Sequence, residues 1–226
     1  MNIAVCLRAP PPGPEGDAIA RGDGFALAHA LELAPAHKLT ALLGGTSLEE
    51  GPLRVALGMR VERAVRVAAD DLATADFHTV GQVLAIALRR IGADLILTGV
   101  RSDDEGLGAA PAAIARHLAA AYVAAVEEIA IVGERQVEVV ARSGGRKRRL
   151  AVRLPAVLTV AAPVAKAVPS RPPVTTPPAI EVIPLGDPES TVVRRRTELL
   201  GRPEPASRGI ETVTSAAALV ASLDRR

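Results

Sequence analysis

The stretch DLILTGVRSDDEGLGAAPAAIARHLAA, residues 94–120, carries an apolar segment into an acidic, glycine-bearing loop and then into an alanine-rich helical pattern. In open α/β sheets, ligands collect beyond the carboxyl ends of the strands, where loops diverge and helix N-termini present unbonded N–H groups. Gly99, Gly106 and Gly108 would let backbone approach a ligand closely, and the amides that open a helix near residues 109–112 could receive a phosphate. Asp103, Asp104 and Glu105 work against a polyphosphate by adding like charge, unless they turn away or bind ribose hydroxyls. Two readings stand side by side: a nucleotide site, and an ordinary acidic loop ahead of a helix.

Other reactive residue types are present without the spacing that chemistry requires. There is no G-x-x-x-x-G-K-[ST] and no G-x-G-x-x-G, so neither P-loop nor dinucleotide chemistry is signalled. Ser102 lacks the G-x-S-x-G elbow, and the adjacent carboxylates of Asp103 and Asp104 diverge in an extended chain. Cys6 is the one cysteine, which rules out a disulfide within the chain and suits a small core residue. His29, His37, His78 and His117 lie too far apart to form a metal motif. His78 and His117 fall in helical patterns and read as surface or capping residues. The basic run GRKRR at 145–149 sits beside a turn, where it suits a solvated strand edge better than a phosphate patch.

Short apolar runs at residues 3–7, 39–43, 63–68 and 94–100 are bounded by Gly, Pro or charge and predict buried strands. Between them, residues 25–33, 47–59 and 78–92 place apolar side chains at helical spacing, with Ser47 and Glu50 forming an S-x-x-E capping box. Alternating strand and helix predicts a parallel sheet covered on both faces. A fourth helix is expected to end near Ala121. Residues 127–160 then read as strands broken by turns at Gly133-Glu134 and Ser143-Gly144-Gly145, adding antiparallel members. Residues 163–178 hold six prolines and predict an extended arm, followed by a short strand in AIEVIPLGD and a closing helix in TVTSAAALVASLDRR. The expected division is a domain over 1–162 and an arm over 163–226 that lies on a partner subunit.

A formal charge of +2 over 226 residues, with only Phe25, Phe77 and Tyr122 as aromatics, offers neither a basic groove nor stacking platforms for nucleic acid. No apolar run reaches the length of a membrane span, and the opening MNIAVCLRAP has no leader pattern, so the expected location is cytoplasmic.

Taken in order, several of these segments resemble the beta subunit of electron transfer flavoprotein. LRVALGMRVERAVRV at 53–67 is similar to the family's L-R-x-A-L-A-M-G-A-D-R-A-V-x-V, and residues 92–118 are similar to its D-L-V-L-x-G-x-Q-S-I-D-G-D-T-G-Q-V-G-P-M-L-A-E-H-L. LPAVLTV at 154–160 and IEVIPLGD at 180–187 also match in sequence and order. The resemblance implies a Rossmann-like, mostly parallel sheet of the adenine-nucleotide alpha-hydrolase-like kind, with added antiparallel strands and an extended C-terminal arm. It implies an electron carrier rather than an enzyme, paired with an alpha subunit that holds most of the flavin adenine dinucleotide (FAD). The complex would pass electrons from a flavin dehydrogenase to an acceptor, and this chain would hold adenosine monophosphate (AMP) or, in bifurcating members, a second flavin. By position the nucleotide site falls on Cys6, Asp23, Gly44, Gly99, Val100, Arg101, Ser102, Asp103, Asp104, Gly106, Gly108, Ala109 and Ala110. The family's N-P-F ahead of the first helix is replaced by Ala20-Arg21-Gly22 and its T-G-Q by Leu107-Gly108-Ala109, so the site is partly eroded. A stand-alone adenine-nucleotide-binding or regulatory protein on the same general fold is the alternative.

Overall fold

A computed structural model of the protein describes residues 1–9, 19–69, 72, 75–101, 108–161 and 178–185. Ser102, Asp103, Asp104, Gly106, most of the proline-rich segment and the expected closing helix lie outside the described residues.

Among the described residues, nine strands form one sheet, whose order from edge to edge is Arg146–Arg153, Gln136–Ser143, Ala121–Gly133, Ala156–Val160, Leu95–Gly99, Asn2–Cys6, Lys38–Gly45, Arg63–Ala68 and Glu181–Pro184. The first four strands are β1 (Asn2–Cys6), β2 (Lys38–Gly45), β3 (Arg63–Ala68) and β4 (Leu95–Gly99), all mutually parallel. They alternate with the helices α1 (Arg21–Leu33), α2 (Gly51–Gly58) and α3 (Phe77–Arg90), and α4 (Ala110–Leu118) follows β4. The chain steps from β1 to β3 in one direction and then crosses back to place β4 on the other side of β1. Because such crossovers are right-handed, the reversal sends later helices to the opposite face.

Side-chain parity shows this directly. Ile3, Val5, Leu39, Leu43, Leu95 and Leu97 join Leu27 of α1 and Leu57 of α2 in one core cluster. Their alternates Ala4, Cys6, Leu42 and Ile96 join Leu84 and Leu88 of α3 and Ile114 of α4 in the other. A strand buried on both faces reads as a continuous apolar run, which is why these four were legible.

The remaining strands are β5 (Ala121–Gly133), β6 (Gln136–Ser143), β7 (Arg146–Arg153), β8 (Ala156–Val160) and β9 (Glu181–Pro184). β8 runs parallel between β4 and β5. β5 changes partner along its length: Ala121–Val123 pair with β8, and from Val126 onward it pairs antiparallel with β6. The change is made at a bulge where Ala125 has φ 55° and donates its N–H to the buried hydroxyl of Thr159 at 3.0 Å. Gly144 and Gly145, at φ 56° and 76°, make the tight turn between β6 and β7. β7 is an outer strand, its Arg146, Lys147, Arg148 and Arg149 all exposed, so the basic run is a charged sheet edge.

Several sequence boundaries are corrected. α1 begins at Arg21 rather than Phe25, so the Ala20–Asp23 stretch is the cap and first turn of the helix. The expected helix over 47–59 divides into a short 3-10 turn, Ser47–Glu49, and α2, whose start is marked by Pro52. The capping box is made by Thr46 and Glu49, one residue earlier than expected, because Glu50 is drawn instead to Arg66 of β3 at 2.9 Å and Arg54 at 2.8 Å. α4 stops at Leu118, with Ala119 left-handed at φ 52° and Ala120 N–H returning to the Ala115 carbonyl, and β5 starts at once at Ala121 rather than at 127. β9 forms in AIEVIPLGD, where a short strand is expected. It lies on this chain's own sheet, parallel to β3, with Arg63 and Glu181 in a two-pronged ion pair at 2.7–2.9 Å.

Candidate functional site at the switch point

β1 has β2 on one side and β4 on the other, and the chain leaves β1 and β4 for opposite faces. This is the point where a doubly wound sheet opens a crevice beyond its strand ends. Three segments meet there: the residues after β1, the first turn of α1, and the residues after β4.

Asp23 joins them. Its Oδ2 accepts the Arg8 N–H at 2.9 Å and its Oδ1 accepts the Gly99 N–H at 3.1 Å, so a single carboxylate spans the ends of β1 and β4. In the first turn of a helix such a carboxylate also complements the helix dipole. The approach is close because two glycines face each other. A Cβ on Gly99 would come within 2.7 Å of Asp23 Oδ1 and 2.8 Å of the Gly22 carbonyl carbon, and one on Gly22 would meet Gly99 Cα at 3.5 Å. The requirement for glycine therefore falls on Gly99, since a side chain at 22 would meet its neighbours at ordinary contact distance.

Cys6 lies beneath this contact, at 7% exposure. Burial, and then the Asp23 charge, push its thiol up to about 12, so it is a neutral buried group at ordinary pH and no nucleophile. On the other side, Gly108 has φ 61°, and a Cβ there would overlap the Val100 carbonyl oxygen. The two ends of the acidic loop are thus pressed together at Val100 and Gly108, immediately before α4. At the start of α4, Pro111 has no N–H and the Ala113 N–H bonds the Ala109 carbonyl at 3.2 Å. That leaves the amides of Ala110 and Ala112 uncommitted among the described residues.

The structure brings Cys6, Asp23, Gly99, Val100, Arg101 and Gly108 together, with Ala109 and Ala110 adjoining them in sequence. Gly44 stands apart. A Cβ at Gly44 would fall 2.7 Å from Leu72 Cδ1 and 3.2 Å from Leu84 Cδ2, so its open side is filled by leucine side chains. The Arg8 amide was missed in the sequence, and no local signal marks it, since Asp23 lies 15 residues away. His78 and His117 meet across α3 and α4 with ring centroids 4.9 Å apart, a contact that sequence distance concealed. Among the described residues, no group of three or more His, Cys, Asp or Glu side chains could hold a metal. No described helix is long and apolar enough to cross a membrane. A cavity at the opposite end of the sheet is lined by Asn2, Lys38, Thr40, Glu62 and Arg63, and its Arg63 is already committed to Glu181.

Comparison with known proteins bears on this crevice. A family model described as "Electron transfer flavoprotein domain" matches residues 15–187. Protein FixA of Azorhizobium caulinodans is 30% identical over 185 residues, which cover 71% of this chain and 66% of that relative. The matched stretch is therefore just under two thirds of the relative's length.

Proposed function

Since this chain belongs to the electron transfer flavoprotein family, we propose that it is a beta-type subunit that pairs with a flavin-carrying alpha subunit and helps pass electrons from a flavin dehydrogenase to an acceptor. The observation that carries this reading is the crevice between β1 and β4, whose α1, β4 and α4 sides lie within the stretch that the family model matches, while β1 precedes it. In this reading the crevice holds AMP. The described residues fit a single phosphate: Ala110 and Ala112 offer two amides at the start of α4, and the Gly108–Val100 contact holds that start against the end of β4. They fit a longer phosphate chain poorly, because Asp23 already occupies the Arg8 and Gly99 amides.

The flavin, when bound in the partner, supplies the redox chemistry. This chain's part is positional. Its neutral, buried Cys6 offers no thiolate, and the crevice residues hold a nucleotide and the surrounding backbone in place. FAD would sit mainly on the alpha subunit, and the complex would work in the cytoplasm.

The test is co-expression with the neighbouring reading frame, purification and an absorbance spectrum. A yellow one-to-one complex that releases both FAD and AMP on denaturation is the expected result. A colourless preparation of this chain alone, with no adenylate released, would overturn it. A colourless chain retaining an adenine nucleotide would instead favour a stand-alone binding protein.

A further inference from the structure

Asp23 is the one described side chain that hydrogen-bonds the ends of both β1 and β4. Its position is set from three sides: by α1's first turn, by the glycine-to-glycine contact of Gly22 with Gly99, and by the two backbone amides it accepts. A carboxylate bonded in this way is a short, charge-assisted strut, and neither amide it holds can turn toward a ligand. The Val100 and Arg101 segment leaves directly from Gly99, and the Val100 carbonyl is what Gly108, two residues ahead of α4, rests against.

We propose that Asp23 is the positioning residue of the candidate nucleotide site: it fixes the separation of the β1 and β4 ends and keeps a ligand phosphate off their amides. This rests on the nucleotide reading above and assigns a role within it. Asparagine at 23 has one carbonyl oxygen in place of two acceptors, and its NH₂ would confront an N–H, so Asp23→Asn keeps the shape while breaking half the strut. Ground-state binding should suffer because geometry at such sites must hold to about 0.5 Å.

Cys6 supplies a local readout, being the chain's one cysteine and lying beside Asp23. The experiment uses the full chain, together with any subunit that co-purifies, and AMP as the probe. AMP affinity is measured by calorimetry for wild type and Asp23→Asn, and iodoacetamide labelling of Cys6 is followed by peptide mass spectrometry as a function of pH. The expected result is AMP binding by wild type, a loss of tenfold or more in Asp23→Asn, and a labelling profile displaced to lower pH in the variant. Because burial is the larger cause of the raised thiol, a loosened fold would displace the profile the same way, so the urea midpoint is measured alongside: an unchanged midpoint assigns the displacement to the missing charge, and a lowered one assigns the loss to loosening and overturns the positioning role. Equal AMP affinity in a folded Asp23→Asn overturns the role of Asp23 and leaves the nucleotide reading standing. No AMP binding by wild type overturns both. If the variant does not fold, wild type alone decides: saturating AMP should slow Cys6 labelling at least fivefold, and an unchanged rate with AMP bound overturns the proposal.

Discussion

Gly81 of α3 and Ala113 of α4 meet so closely that a methyl group on the glycine would overlap the alanine Cβ and lie 3.1 Å from its carbonyl carbon. Alanine is ordinarily better than glycine inside a helix by about 1 kcal/mol. Here the steric term dominates, since overpacking typically costs about 1–3 kcal/mol. Gly81→Ala is expected to lower the urea midpoint despite its better helix propensity. It should also displace α4, which carries the Ala110 and Ala112 amides, and weaken AMP binding in parallel.

Asp76 caps α3. Its side chain is buried and accepts the Thr79 N–H at 2.8 Å. Removing such a cap costs about 1 kcal/mol. Asp76→Ala should lose that much by chemical denaturation, and Asp76→Asn should recover most of it, because the amide oxygen can still accept.

The raised thiol of Cys6 has a pH signature. An unfolded cysteine titrates near 9.0, while the folded one holds its proton to about 12. Between those values the folded state binds the extra proton, so stability falls as pH rises through that window and is unaffected below it. In Cys6→Ala the alkaline slope of the unfolding free energy should be shallower than in wild type between pH 9 and pH 12. Identical slopes would mean that the thiol is not protected by the fold.

At the other end of the scale, hydrogen bonds from Lys147 and then Arg142 hold Glu127 below the ordinary carboxylate value. A lowered carboxylate contributes stability above its ordinary pKa, and that contribution fades as pH falls through the folded value. The difference in thermal midpoint between wild type and Glu127→Gln should therefore be greatest near neutrality and shrink in acid. The two basic partners are each about half exposed, so added salt should also reduce it.

The sheet was legible where strands are covered on both sides, as with Leu42 and Leu43, which point to opposite cores without breaking the apolar run. It was illegible where a single residue type suits two structures. The alanines around 119–125 extend a helical pattern, yet the left-handed turn at Ala119 uses no glycine, and so gives no stop signal before β5. The helical spacing was read from Phe25, yet α1 already starts at Arg21, and the reason its first turn can lie so close to β4 is the missing side chain of Gly99, 77 positions beyond Gly22. The glycines of the candidate site could be found by residue type. Asp23 could be placed by resemblance, but its two hydrogen bonds depend on a fold that brings residues 8, 23 and 99 together.

β9 pairs four of its residues with Val65, Arg66, Val67 and Ala68. A version of the protein cut back before residue 178 would thus be more than shortened: β3 would become a raw hem of unmatched amide and carbonyl groups, and a second molecule could stitch itself on there. Among the described residues, this short strand is what covers β3 on that side.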